Sequence, residues 1–157
     1  MRILGIDPGT ATTGFGLIEA SRGNIEFLAA GVIRTPSAET LPNRLATIYE
    51  EIGQIINQYH PVQMAIELLY FAANVTTAMS VSQARGVALL LAAQNHLLVG
   101  EYTPLQVKQA LTSYGRADKK QVQEMVKKLL KLSEIPKPDD AADALAIAIC
   151  HSATLKS

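Results

Sequence analysis

Short apolar runs give way along the chain to longer amphipathic ones. Arg2 to Asp7 reads as a strand, because Ile3, Leu4 and Ile6 run up to a carboxylate and then to the turn formers Pro8-Gly9. Thr13 to Ala20 follows, with Phe15 and Leu17 alternating against Gly14, Gly16 and Ile18, and Asn24 to Ile33 comes after Arg22-Gly23. Strands so close together predict an antiparallel meander, since parallel pairing needs a long crossover. The period then changes. Leu41, Leu45, Ile48, Ile52, Ile55 and Ile56 form one helical stripe over Thr40 to Tyr59, which Pro61 stops. Val62 to Glu67 is another short apolar strand closed by a carboxylate. Val75 to His96 predicts a long helix rich in Ala, Ser and Gly, and Leu98 to Tyr102 a fifth strand. Three helical stretches follow, at Pro104 to Leu111, Asp118 to Leu130 and Asp139 to Thr154.

A meander continued by crossover strands gives an α/β protein with a mixed five-stranded sheet and helices on both faces. The ribonuclease H-like fold has this order of elements. The 157 residues suffice for one such domain, expected over 1–157, and nothing in them reads as a linker or a repeat. With 48% apolar and 18% charged residues, the chain belongs with folded proteins rather than disordered ones. The N-terminal residues lack the apolar segment and cleavage site of a signal peptide, and the longest apolar run, Val87 to Ala93, is short for a bilayer. A cytoplasmic protein with no membrane partner is therefore expected. The single cysteine, Cys150, suits a reducing compartment and reads as core.

Chemistry enters with the carboxylates. Asp7 and Glu67 end strands that a sheet of this order can set side by side. In "PDDAADALAIAI", Asp140 and Asp143 stand at i and i+3 and share one face of the first helical turn. Four converging acids repel one another and raise their own pKa values unless divalent cations lie among them. Mg²⁺ suits such a set, being bound through a few carboxylates while water or phosphate fills its other positions. The simpler reading makes Asp139, after a proline, an ordinary helix N-cap and Asp7 a turn former. Acids arriving from three separate places in the chain favour the metal site. The histidines are expected to stand aside. His60 and His96 fall at helix ends, and His151 lies eleven residues beyond Asp140, roughly 16 Å along a helix axis.

Net charge is zero, but residues 100 to 131 carry seven cationic side chains against three acidic ones, a surplus of four. Solvated helix faces explain this, and so does a phosphate-binding surface. An aspartate at a strand end before Pro-Gly-Thr also occurs in ATPases of the sugar-kinase and actin type. That class clamps its nucleotide between two domains, whereas this chain has room for one. Length favours a two-metal nuclease.

Five segments carry a closer resemblance: Gly5-Ile6-Asp7-Pro8-Gly9, Ile66-Glu67, Gln83-Ala84-Arg85-Gly86, Gln106-Val107-Lys108-Gln109 and Asp140-Ala141-Ala142-Asp143-Ala144-Leu145-Ala146. In order, and over nearly the whole chain, they resemble the RuvC family of bacterial Holliday-junction resolvases. The resemblance implies a dimeric, Mg²⁺-dependent endonuclease that resolves four-way DNA junctions by paired symmetric nicks in recombination and repair. It implies Asp7, Glu67, Asp140 and Asp143 as catalytic acids and ligands of two Mg²⁺, for which Mn²⁺ can substitute. Lys108 and Lys119 correspond to the family's lysines near the active site, and Tyr70 to its base-stacking aromatic. A branch-migration complex of the RuvA and RuvB type is the implied partner. Leu68 departs from the glutamine common after the second acid, and Tyr70 from the usual phenylalanine; the chain also ends soon after its last helix, without a basic tail. The small residues of Val75 to His96 fit a buried helix and a dimer seam equally. The resemblance and the two-fold symmetry of a junction point to the dimer, which a charge at Ala88 or Leu91 would test. Two alternatives remain, an RNA-processing nuclease of the YqgF group and a non-catalytic nucleic-acid-binding module of the same fold. The matches at Gln83 to Gly86 and Gln106 to Gln109 separate the chain from the YqgF group.

Overall fold

The computed structural model describes residues 1–68 and 75–155. Five strands, β1 (Arg2–Asp7), β2 (Thr12–Ser21), β3 (Asn24–Arg34), β4 (Gln63–Glu67) and β5 (Leu98–Tyr102), form one sheet in the order β3-β2-β1-β4-β5. The first three make the expected antiparallel meander, turning at Arg22-Gly23, where Gly23 takes a φ of 86° that glycine alone adopts without strain. β1, β4 and β5 run parallel. The helices are α1 (Leu41–Tyr59), α2 (Val75–Gln94), α3 (Pro104–Thr112), α4 (Lys119–Leu129) and α5 (Asp139–Thr154). Expected and observed elements agree within two residues at each end.

Each face of the sheet buries its own core. Ile3, Ile18 and Ala65 meet α3, α4 and α5, while Leu4, Ile6, Leu17, Met64 and Ile66 meet α1 and α2 on the other side. Adjacent residues of one strand thus go to opposite cores, as the two-residue period requires. On the α5 side, glycine sets the spacing. A Cβ on Gly5 would collide with the carbonyl of Ala144, and one on Gly14 with the carbonyl of Asp140. One on Gly16 would strike Leu145. Helix α5 therefore lies backbone to backbone on β1 and β2.

Helix α2 is seated differently. It buries Ala84, Ala88, Leu91 and Ala92 and leaves Val75, Met79, Ser82, Gly86, Leu90 and Ala93 exposed at a 3-4 spacing. Ala88 and Leu91, offered from sequence as positions to challenge a dimer, belong to the monomer core. By length and mean hydropathy, 1.2 over 18 residues, α2 is sufficient to cross a bilayer. Its middle, however, carries Arg85, which is ion-paired to Glu101, and its inner face packs on the sheet.

His60 caps α1 with a left-handed φ of 48°, donating its N–H to Ile56, and His96 is left-handed just past α2. His151 is buried, bonded to the Tyr102 hydroxyl at 2.7 Å and to Gln63, and burial lowers its pKa. Cys150 is core, its thiol pushed up to about 11 by burial. None of the three histidines joins the acidic cluster.

Candidate functional site

Parallel pairing of β1 with β4 aligns Ile6 with Ile66, so Asp7 and Glu67 leave the sheet as neighbours at the same edge. The third contribution comes from α5. Gly14 faces Asp7 across the β1–β2 ladder, and its missing side chain lets the first turn of α5 settle there. Carboxylate oxygens of Asp7, Asp140 and Asp143 consequently lie within 4.8 Å of one another. Side-chain hydrogen bonds link Asp7 to Asp140 and to Glu67. Asp139 is the first residue of α5 rather than its cap, a role taken by Pro138 without any side-chain bond. The acids of this turn therefore include no N-cap, contrary to the simpler expectation.

The electrostatics are those of charges crowded out of water. Burial, and then repulsion by Glu67, Asp143 and Asp140, raise Asp7 to about 8. Burial and Asp143 raise Glu67, against the hydrogen bond from Asp7 and the charge of Lys119. Asp143 is raised by burial, with Lys119 opposing. A cluster built only of carboxylate oxygens, in which burial and mutual repulsion raise Asp7, Glu67 and Asp143, has the donor chemistry of a hard divalent cation site.

The expected lysines flank it. Asp7, Glu67, Asp143, Lys108 and Lys119 line one cavity of about 290 Å³, closed on its apolar side by Pro104, Val107, Val122, Ala146 and Ile147. A capping box fixes the start of α3, the helix that carries Lys108. The Thr103 hydroxyl accepts from Gln106 N–H, and the Gln106 side chain accepts from Thr103 N–H. Asp118 and Gln121 repeat the arrangement at α4 and place Lys119 on its first turn. Lys119 Nζ lies 3.2 Å from Asp143 and 3.4 Å from Asp139. Burial alone would lower its pKa, but these two carboxylates raise it. The cationic surplus of residues 100 to 131 thus divides: Lys108 and Lys119 face the acids, while Lys127 and Lys128 sit in the last turn of α4, where cations suit the helix dipole. Tyr70 lies outside the described residues.

Two contributors escaped the sequence reading. Gly5, Gly14 and Gly16 allow the approach of α5, and glycine at alternate positions of a strand is the signal that marks it. The second is a pair of bonds with α2: Arg85 donates to the Glu67 carbonyl, and the Thr10 hydroxyl donates to the Ser80 carbonyl. Nothing in the pattern of the chain announces them.

Comparison with known proteins bears on the site as built. The family model described as crossover junction endodeoxyribonuclease RuvC matches residues 3–151. The chain is similar to the protein of that name from Rubrobacter xylanophilus, 57% identical over 150 residues, covering 96% of this chain and 84% of the relative. It is similar also to that of Heliobacterium modesticaldum, 57% identical over 156 residues, covering 98% and 96%. Among solved structures it resembles Thermus thermophilus RuvC in complex with a Holliday junction substrate, with a TM-score of 0.95 at 33% identity, covering 99% of this chain and 95% of that one.

Proposed function

The chain belongs to the RuvC family of crossover junction endodeoxyribonucleases, and on that premise we propose how its residues cut a four-way DNA junction. It is a Holliday-junction-resolving endonuclease, an enzyme that hydrolyses phosphodiester bonds. The YqgF and non-catalytic alternatives give way to that membership.

Asp7, Glu67, Asp140 and Asp143 are the catalytic acids of our proposal. The observation that carries it is the meeting of Asp7, Asp140 and Asp143 within 4.8 Å, with Glu67 hydrogen-bonded to Asp7. These carboxylates would hold two Mg²⁺, or Mn²⁺ in their place, with Asp7 central among the acids. When bound, such ions lower the pKa of an attacking water and stabilise the departing 3′ oxygen. The protein supplies the rest. Lys108 offers an ammonium to the scissile phosphate from the cavity wall. Lys119 can retain its bond to Asp139, outside the acid cluster, while turning another N–H to a neighbouring phosphate. Val107, Val122 and Ile147 keep one side of the cavity dry, which strengthens each charge contact inside it. Tyr70 stacks on a base unpaired at the crossover.

Productive resolution needs cuts in two strands, so the working unit in this reading is a homodimer with two-fold symmetry. The exposed stripe from Val75 to Ala93 supports it, being apolar or small throughout and open at Gly86. The proposal keeps one nuclease domain over 1–157, a cytoplasmic setting, paired symmetric nicks in recombination and repair, and a branch-migration complex of the RuvA and RuvB type as partner. Purified protein incubated with four-way and with linear duplex DNA, in Mg²⁺ and in EDTA, tests it. Paired nicks only in four-way DNA with Mg²⁺ are expected, and equal cutting of linear duplex, or cutting in EDTA, would overturn it.

A further inference from the structure

Helix α2 grips the ends of both strands that bring carboxylates to the site. The Thr10 hydroxyl, three residues past Asp7, donates to the Ser80 carbonyl at 2.7 Å. The Thr10 carbonyl in turn accepts from Thr35 at 2.5 Å, and Thr35 accepts from Arg44 at 2.8 Å, so the turn after Asp7 is held from two sides. Five residues beyond Ser80, Arg85 donates Nε to the Glu67 carbonyl at 3.3 Å and places Nη2 2.6 Å from the Glu101 carboxylate. Its side chain is only 20% exposed. The guanidinium therefore bridges the last residue of β4 and a residue of β5, from a helix whose neighbouring face is the uncovered apolar stripe. A planar fork with donors in two directions serves both acceptors at once, whereas a lysine ammonium is a single point.

We propose that Arg85 is a positioning residue for the nuclease reaction, fixing the Glu67 end of β4 so that the metal site answers to the seating of α2. This deepens the nuclease reading above and rests on it. Glu67 reaches Asp7 from the strand's final position, where Tyr102 of β5 holds the backbone on one side, its carbonyl accepting from Leu68 N–H at 2.7 Å, and Arg85 is the tie from α2. A shift of about 1 Å in such a group costs up to roughly a hundredfold in rate. A plain structural brace between α2 and β5 would need only the ion pair with Glu101, and that difference is measurable.

The experiment compares the parent with Arg85→Lys, Arg85→Ala and the charge swap Arg85→Glu with Glu101→Arg. It reads kcat and KM for junction cleavage, junction affinity in EDTA, Tm, and the rise in Tm on adding Mn²⁺. Arg85→Lys should keep Tm, KM and junction affinity while kcat falls on the order of 10- to 100-fold. Its Mn²⁺ response should shift to higher concentration. The swap should recover the Tm that Arg85→Ala loses but not kcat, because position 85 then has no donor for the Glu67 carbonyl. Parental kcat and Mn²⁺ response in either Arg85→Lys or the swap would overturn the inference and leave a structural brace. Failure of the underlying reading looks different, since the parent itself would then leave junctions uncut. The Mn²⁺ response of Tm reports on Arg85 in that case too.

Discussion

Helix α5 and helix α2 cover opposite faces of one sheet and are attached by different means. Under α5, Gly5, Gly14 and Gly16 bring backbone against backbone, and from Ala144 to Ser152 every residue is buried. Helix α2 inserts four apolar side chains, is tied by Thr10 and Arg85, and keeps its stripe from Val75 to Ala93 in the open. Asp140 and Asp143 stand on the tightly seated helix, beside Asp7 and Glu67 at the ends of β1 and β4, and the fold must bear the mutual repulsion of all four. The surface free to meet another molecule stands on the loosely seated one. The acidic site is thus seated by α5 and tied to α2 through Thr10 and Arg85, while the open stripe of α2 lies on the other face of the sheet.

Removing the charges should have the largest effect. Asp→Asn at 7, 140 or 143, or Glu67→Gln, is expected to lower cleavage by roughly 10³-fold or more, about 4 kcal/mol of barrier, while junction binding in gel shift persists. Near-parental nicking by any one variant would remove that residue from the site. Next comes a paired test of seating. Gly14→Ala pushes a methyl into the Asp140 carbonyl and should cost about 1–3 kcal/mol, a fall in Tm of roughly 3–10 °C. Gly86→Ala meets nothing within 4 Å and should leave Tm unchanged or raise it, since alanine is the better helix former by about 1 kcal/mol. Equal losses would erase the contrast between the two helices.

Assembly is probed on the open stripe. Leu90, 52% exposed, takes a charge without touching the core, so Leu90→Glu should give folded monomers by light scattering at micromolar concentration and single rather than paired nicks. Folded monomers that still make paired nicks would refute the dimer. The smallest effects belong to the lysines. Lys108→Ala and Lys119→Ala should each slow cleavage and flatten the salt dependence of junction binding by about one unit of slope. An unchanged slope together with a parental rate would make both of them solvated surface charges.

Much of this is legible in the sequence alone. The strands show because Ile3, Leu4, Ile6 and Met64 to Ile66 are apolar runs cut off by carboxylates, and α1 because its isoleucines recur at helical spacing. The adjacency of Asp7 and Glu67 followed from strand order alone. What stayed hidden depends on distance across the fold. Gly14 looks like a gap in an alternating strand until α5 lies over it, and no local preference says that Asp140 comes to rest there. The pairing of Lys119 with Asp139 and Asp143 needs α4 and α5 side by side. Ala88 and Leu91 read as candidates for a dimer seam because a helix apolar on most sides does not declare which side is covered.

The acidic cluster as a cation site is tested most directly by Tm against pH, with and without Mg²⁺. Asp7 is raised from 3.8 to about 8, so the stabilisation tied to its bound proton is complete below pH 4 and is lost as pH climbs through 8. Metal-free protein should therefore lose Tm between pH 5 and 8, beyond any trend left in Asp7→Asn. Mg²⁺ should restore it increasingly towards pH 8, by about 3–8 °C in the parent and far less in Asp7→Asn. A parental Tm that follows the same pH course as Asp7→Asn and gains nothing from Mg²⁺ at pH 8 would contradict a metal site built on Asp7.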